Sequence, residues 1–553
     1  MFGQPARIRF RPRRVGERGP SRTFPPDSAR GRRPLHSLPS PGPGRRRRLR
    51  RAITVAGACA VAAVALFTAG VLWPLPRLEP ARTQAPVAIR NVAIVDVSGA
   101  RLVRGQTVLV DAGRVAATGP EGSVALPPGA VTLDGRGKYV LPALWDMHVH
   151  VYAISPLLDL PLYIRYGVTN VRDMQGCPRP GDPFIACPED KRRWSAEAVA
   201  GRRVGPRIVA TTSFMANGPG MLARVPGVPA FFETGTPAEA RAFVRHFAGR
   251  VEAIKVYDGL PRAAYFALVD EARRLGLDVV GHRPHAVSAL EAAAHQKSIE
   301  HARFVLHESF AGSAALRARG GTAAWREDRR RMVAEHDPAA ARAIFQAMAR
   351  AGSWYVPTHL TRWRDAYADD ARVREDSLLR YLHPLMRWQW LEDIDATVSA
   401  DPTPEGRAAY RAFYRKGLEL TGAAHRAGVP LMLGTDYIVA GADVHRELAL
   451  LVEAGLSPAA ALHAATVAPA TYAGLDDQYG AVTQGRVADL LLLDANPLDD
   501  VRNTRRIAAV LFQGHLYDQA ALARIDAHVL RQARSWAVAC KIVWRFLRRP
   551  VSY

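Results

Sequence analysis

His148 and His150 close the apolar run Leu141-Pro-Ala-Leu-Trp-Asp-Met-His-Val-His150. In an extended strand alternate side chains share a face, so the two imidazoles point the same way and can grip one metal ion. Four further groups suited to metal binding or proton transfer end other short apolar runs: Lys255, His282, His301 and Asp436. A lone histidine carries little weight. Histidine donors, a carboxylate oxygen and a lysine gathered at one place would make a site for zinc or another divalent first-row ion, with an acid–base group beside it.

Such side chains converge only if the ends of their runs are brought together. From residue 139 onward, strand-like runs alternate with amphipathic helical ones, the pattern of a parallel sheet with crossover helices. Eight runs qualify as strands: 141–150, 168–173, 207–211, 253–257, 278–282, 298–301, 354–358 and 430–436. Eight units predict an α/β fold, a (β/α)8 TIM barrel over 139–475, whose working residues sit at the C-terminal strand ends. All six residues named above fall at such ends. The helical stretches 308–353 and 360–427 are longer than crossovers need and predict a cap over the mouth. Helices are also predicted at 261–275 and 286–295. Short strands on either side, within 87–138 and 476–519, predict one small β-sandwich domain built from both flanks.

The motifs form an ordered set: His148-Val-His150 after Leu-Pro-Ala-Leu-Trp-Asp-Met, Gly167-Val-Thr-Asn-Val-Arg-Asp173, Ile254-Lys-Val-Tyr-Asp-Gly259, Gly281-His282, Ile299-Glu-His301, Gly434-Thr-Asp436 and Gly485-Arg-Val-Ala-Asp-Leu-Leu-Leu-Leu-Asp494. Together they resemble the amidohydrolase superfamily, in its imidazolonepropionase-like and prolidase-like branch, from about residue 87 to 517. The resemblance implies a metal-dependent hydrolase that cleaves a C–N bond. It implies that His148 and His150 bind a first divalent ion and His282 and His301 a second. Asp436 would ligate the first ion and carry the proton. Lys255 matches the position where a carboxylated lysine bridges the ions; an ion-paired lysine beside a single metal is the alternative. Two ions so placed would hold a hydroxide that attacks an amide carbonyl, and Asp436 would pass its proton to the departing nitrogen.

For substrate contacts, Tyr152 and Tyr257 lie just past metal-site positions, and Arg283 and His285 follow His282. A guanidinium at the mouth would clamp a substrate carboxylate, which suits a dipeptide or an N-acyl amino acid. Arg283 paired with a loop acid is the competing reading. His359, at another strand end, reads as pocket lining. The alternative activities are cyclic-amide hydrolysis of the imidazolonepropionase type and phosphotriester hydrolysis, which the same activated water serves. A non-catalytic cell-surface binding protein has no need of paired ligands together with a proton carrier.

The remaining features lie at the two ends. The chain of 553 residues carries a formal charge of +24. Sixteen arginines against Glu17 and Asp27 fall in 1–51, and seven basic residues against Asp526 in 520–553. The body between is nearly balanced. Residues 1–51 are rich in Arg, Pro, Gly and Ser and predict a disordered cytoplasmic tail. The uncharged stretch 52–73 predicts a transmembrane helix or signal anchor over 52–74, with the arginines kept cytoplasmic and the barrel periplasmic or otherwise extracytoplasmic. Secretion after signal cleavage is the alternative. That segment explains the charge and argues against a nucleic-acid partner, since the tail lacks interleaved aromatics. A basic helix over 520–553 is predicted to lie on a membrane surface or to pack on the barrel. Cys177 and Cys187 bracket a short loop and read either as a disulfide or as two thiols. A small-molecule substrate is expected, and oligomerisation is left open.

Overall fold

The structure is a computed structural model that describes residues 43–220 and 228–549. Five strands come first: β1 (Val87–Asp96), β2 (Arg101–Asp111), β3 (Arg114–Pro120), β4 (Val131–Asp134) and β5 (Tyr139–Pro142). β1 is bulged between Ile89 and Val92, where Asn91 takes a φ of 53°. The bulge turns the strand, so its first half pairs with β4 and its second half with β5.

The barrel strands follow: β6 (Leu144–Val149), β7 (Val168–Asp173), β8 (Arg207–Thr211), β9 (Ala253–Val256), β10 (Asp278–Gly281), β11 (Ser298–Glu300) and β12 (Trp354–Val356). Past them β13 (Leu490–Leu493), β14 (Ile507–Phe512) and β15 (His515–Tyr517) return to the first sheet, β13 pairing antiparallel with β5. The result differs from the expected sandwich. It is one continuous eight-stranded sheet, β15-β14-β13-β5-β1-β2-β3 with β4 on β1. The bulged β1, shared between three partners, joins what would otherwise be two layers. The sheet has its own apolar cluster, including Val87, Ile89, Val108, Val140, Leu490 and Leu511.

The run 141–150 is likewise two strands where one was expected. The chain leaves the small sheet at Ala143, whose N–H donates to Asp489 O at 2.9 Å, and enters the barrel at Leu144, which donates to Gly167 O at 2.9 Å. Strands β6, β7 and β8 are parallel neighbours, and β9 to β12 form a second parallel set. Ser213 N–H to Ala253 O and Ala216 N–H to Lys255 O, both 2.9 Å, link the two sets on one side. On the other side the segment 430–436 is far less regular than the expected strand, with a single bridge between Leu431 and Tyr355. It still bonds across to β6, through Met147 N–H to Leu433 O at 2.9 Å and Asp436 N–H to His148 O at 2.8 Å. The arrangement is a TIM-barrel-like α/β fold. Gly434 shows why that segment is held so tightly: a Cβ there would stand 2.5 Å from Val356 Cγ1 and 2.7 Å from His148 Cβ.

The outer helices follow from apolar spacing. Helix Arg262–Arg274 buries Ala264, Leu268 and Ala272, with Tyr265 and Val269 beside them, an i, i+4 stripe laid on the strands. Each such leucine contributes about 2 kcal/mol on leaving water. Helix Ala289–His295 starts later than predicted because Ser288 and Glu291 form a capping box there. Between β11 and residue 427 several helices, among them Pro338–Ala351, Pro384–Ser399 and Pro404–Arg426, occupy the predicted cap region.

Most of the arginine-rich tail lies outside the described residues. The apolar N-terminal helix spans Pro43–Leu72, beginning ahead of residue 52 because arginine is a good helix former and proline suits a first turn. The C-terminal stretch is two helices, Gln519–Ala533 and Trp536–Arg548, where one was expected. Ser535 breaks it by capping the second, its Oγ accepting from Val538 N–H at 3.4 Å.

Candidate metal centre

The barrel brings the predicted donors to one end. His148 lies on β6 and His150 just beyond it, Lys255 on β9, His282 just past β10, His301 just past β11, and Asp436 at the end of the segment beside β6. His150 Nε2 is 2.9 Å from Asp436 Oδ1, and His148 Nε2 is 3.8 Å from the same oxygen. His301 Nδ1 is 3.8 Å from Asp436 Oδ2, and His301 Nε2 is 2.9 Å from His282 Nε2. Donor atoms of His148, His301 and Asp436 all lie within 4.8 Å of one another, and all three residues are buried. Both His301 and Asp436 take positive φ, 72° and 44°, conformations non-glycine residues rarely hold without a reason in the surrounding structure.

The donor set fits a divalent cation. His148 Nε2 and His150 Nδ1 are buried with no hydrogen-bond partner, which costs free energy unless another group satisfies them. Burial holds His150 and His282 in the neutral form that ligates: His150 is pushed down to about 3, with Lys255 adding to the effect, and His282 to about 4. Burial also moves Lys255 down to about 8, toward the neutral amine, against the pull of Asp436, Glu300 and Asp173.

Around these donors stands a set of partners that the sequence reading did not assign. Glu300 Oε2 is 2.8 Å from His148 Nδ1, and Glu300 Oε1 accepts from Arg172 Nη2 at 2.8 Å. Burial alone would raise Glu300, but the Arg172 guanidinium and His148 hold it down at about 2. Asp258 Oδ1 is 2.9 Å from His282 Nδ1, and Arg303 Nη2 donates to Asp258 Oδ2 at 2.7 Å. Thr358 Oγ1 is 2.7 Å from His301 Nδ1. Glu300 and Asp258 stand inside the quoted motifs, so an acid within a motif was the available signal. Thr358 and Arg303 gave none.

The cleft over the donors is lined by Tyr257, His282, His301, Arg303, Thr361, Arg362, Arg364, Asp436 and Tyr437. Tyr257 is there as expected, its ring 3.9 Å from that of His282. Tyr152 stacks 6.4 Å from the His150 ring and packs 4.6 Å from Phe184. Cys177 and Cys187 are joined in a disulfide that closes the loop carrying Phe184.

Arg283, His285 and His359, like Tyr152, lie outside the cleft lining, and for Arg283 the competing reading, a pairing with an acid, is the one found. Arg283 does not reach the cleft: it is buried, donates to the carbonyls of Pro284, His285 and Val287, and pairs with Glu308 at 3.3 Å. His285 packs edge-on to Trp325, ring centroids 4.2 Å apart, behind the lining residue Arg303, which lies over the same ring. His359 is buried with neither ring nitrogen bonded and lies outside the cleft lining. These three stand two to four positions past their strand ends, whereas His150, Tyr257, His282 and His301, one position past theirs, face the site.

The chain is 30% identical over 106 residues to an adenine deaminase of Ruegeria sp. (strain TM1040), a match covering 18% of this chain and 18% of that relative. A Bifidobacterium longum structure provisionally assigned as a prolidase is 25% identical, with a TM-score of 0.53, and covers 83% of this chain and 100% of its own. The bottromycin amidohydrolase AH is 25% identical with a TM-score of 0.60, covering 81% of this chain and 90% of its own. Residues 139–517, which hold every donor described above, match the family model for amidohydrolases, and the chain belongs to the amidohydrolase family.

Proposed function

We propose that the protein is a metal-dependent hydrolase that cleaves a C–N bond in a small, peptide-like amide. The observation that carries this reading is the meeting of His148, His301 and Asp436, from three separate parts of the chain, with donor atoms within 4.8 Å in a buried site. His148, His150 and Asp436 would hold one ion and His282 and His301 a second, with carboxylated Lys255 between them. Burial favours the neutral amine that carboxylation needs. Zinc suits this donor set. Divalent ions there would lower the pKa of a water and polarise the substrate carbonyl. Asp436, buried beside His150, takes the proton of the attacking water and returns it to the departing nitrogen, which leaves as an amine. The fold read this way is a closed (β/α)8 barrel under a helical cap, with the flanking sheet as a second unit.

Arg303 and Arg362 line the cleft, held by Asp258 and by Asp365 at 2.7 and 2.9 Å. Each guanidinium has further N–H donors, and together they suit a substrate carboxylate. This supports a dipeptide or N-acyl amino acid, in keeping with the names of the prolidase and amidohydrolase neighbours. The adenine deaminase relatives make a heterocyclic amidine the second reading. One apolar helix, Arg50–Leu72, is long enough to cross a bilayer and only 6% buried over its most apolar window. We read it as an anchor, with the adjoining arginines cytoplasmic and the barrel on the other side.

The test is amine release from a panel of dipeptides, N-acyl amino acids and adenine. Asp436→Asn should lose turnover by roughly 100-fold or more while keeping its metal. Full turnover in that variant would refute the assignment.

A further inference from the structure

Outside the apolar N-terminal helix, large exposed hydrophobic side chains among the described residues concentrate in two elements. Helix Trp536–Arg548 exposes Trp536, Val543, Trp544 and Leu547, and helix Pro384–Ser399 exposes Leu385 and Trp388, at 62% for Leu547 and 64% for Trp388. His383, just ahead of the second helix, has its side chain close to the backbone of Ser535, just ahead of the first.

The C-terminal of these two helices adjoins the end of the apolar N-terminal helix. Trp536 packs 6.3 Å from Trp73 and Trp544 packs 6.4 Å from Phe67, while Lys541 Nζ donates to Val71 O. Trp73, Trp388, Trp536 and Trp544 are the tryptophans most exposed among the described residues. Residues 536–549 carry Lys541, Arg545, Arg548 and Arg549 and no acid. Exposed tryptophans at the end of an apolar span, beside basic residues, have the composition of a membrane–water interface. On a water-facing surface the exposed faces of these side chains would stay in contact with water.

We infer that helix Trp536–Arg548, with Leu385 and Trp388 beside it, docks on the surface of a phospholipid bilayer. It forms a second foot next to the anchor, its indoles at headgroup depth and its cations on anionic lipid. The inference rests on reading the N-terminal helix as a span. Phe546 lies 6.3 Å from Phe184, which packs on Tyr152 beside His150, so the foot is tied by ring contacts to the rim of the candidate metal centre.

The full chain, reconstituted in vesicles of phosphatidylcholine and phosphatidylglycerol with acyl chains brominated near the headgroups, should show bromine quenching of tryptophan emission. Replacing Trp388, Trp536 and Trp544 together by Phe should lower the quenched fraction at least twofold, and Trp544→Phe alone should lower it measurably in a fold that far-UV dichroism shows intact. Alkaline carbonate extraction reads the anchor separately. Quenching unchanged in both variants, with the chain still resisting extraction, overturns the foot and leaves the anchor. Foot-dependent quenching in a chain that carbonate removes keeps the foot and overturns the span. No quenching in a chain that carbonate removes overturns both.

Discussion

Glu300 Oε2 stands 2.8 Å from His148 Nδ1, with both side chains withdrawn from solvent. A carboxylate can only accept, so it places the imidazole proton on Nδ1 and leaves the Nε2 lone pair facing Asp436. Arg172, bonded to Glu300, Met147 O and Ser298 Oγ, keeps that carboxylate charged and aimed.

Glu300→Gln should therefore weaken divalent-ion affinity by roughly 10- to 100-fold, the usual effect of losing such a partner. Chelator competition on the purified chain measures it directly. Affinity equal to that of the unaltered chain would mean that the contact does not orient a ligand.

Lys255 gives a second expectation. Isotopically labelled bicarbonate should produce a carbamate resonance in the unaltered chain that is absent from Lys255→Ala, and the variant should bind about one ion fewer. Burial lowers the folded-state pKa to about 8, so the neutral amine gains population as pH rises through that value. Reactivation of metal-stripped chain by bicarbonate should rise over the same range. A flat profile would count against a buried amine as the reacting group.

Arg283 and Arg362 should separate cleanly. Breaking the buried Arg283–Glu308 pair by Arg283→Ala should destabilise the fold by about 3 kcal/mol in denaturant melts and leave KM nearly unchanged. Arg362→Ala should raise KM for carboxylate-bearing substrates by roughly 10-fold, the loss of one charge-assisted contact, with a smaller effect on kcat. The reverse pattern would restore Arg283 as the clamp.

These contrasts mark where sequence reading succeeds. Alternation along a strand is a local property, so the positions of His148, Lys255, His282 and His301 at strand ends could be read from short runs. Strands β7 and β8 also fall where the apolar runs place them. The division of 139–149 between two sheets at Ala143 could not be read, because a continuous apolar run carries no mark of where its partner changes. The segment 430–436 was overestimated as a strand for a related reason. Gly434 sits there to let two backbones approach, a tertiary fact that looks like a weak strand in one dimension. Cleft-lining residues were the least legible. Arg303 reaches the cleft from helix Arg303–Glu308 just past β11, Arg362 and Arg364 from helix His359–Ala366, and their facing depends on how those helices lie on the barrel.

The most direct measurement of the central claim is the metal content of the purified full chain by elemental analysis, before and after dialysis against a chelator. Close to two divalent ions per chain, with turnover lost on their removal and recovered on readdition, is the predicted result. A folded chain that holds no metal when supplied with zinc, or that turns over undiminished after chelation, would contradict it.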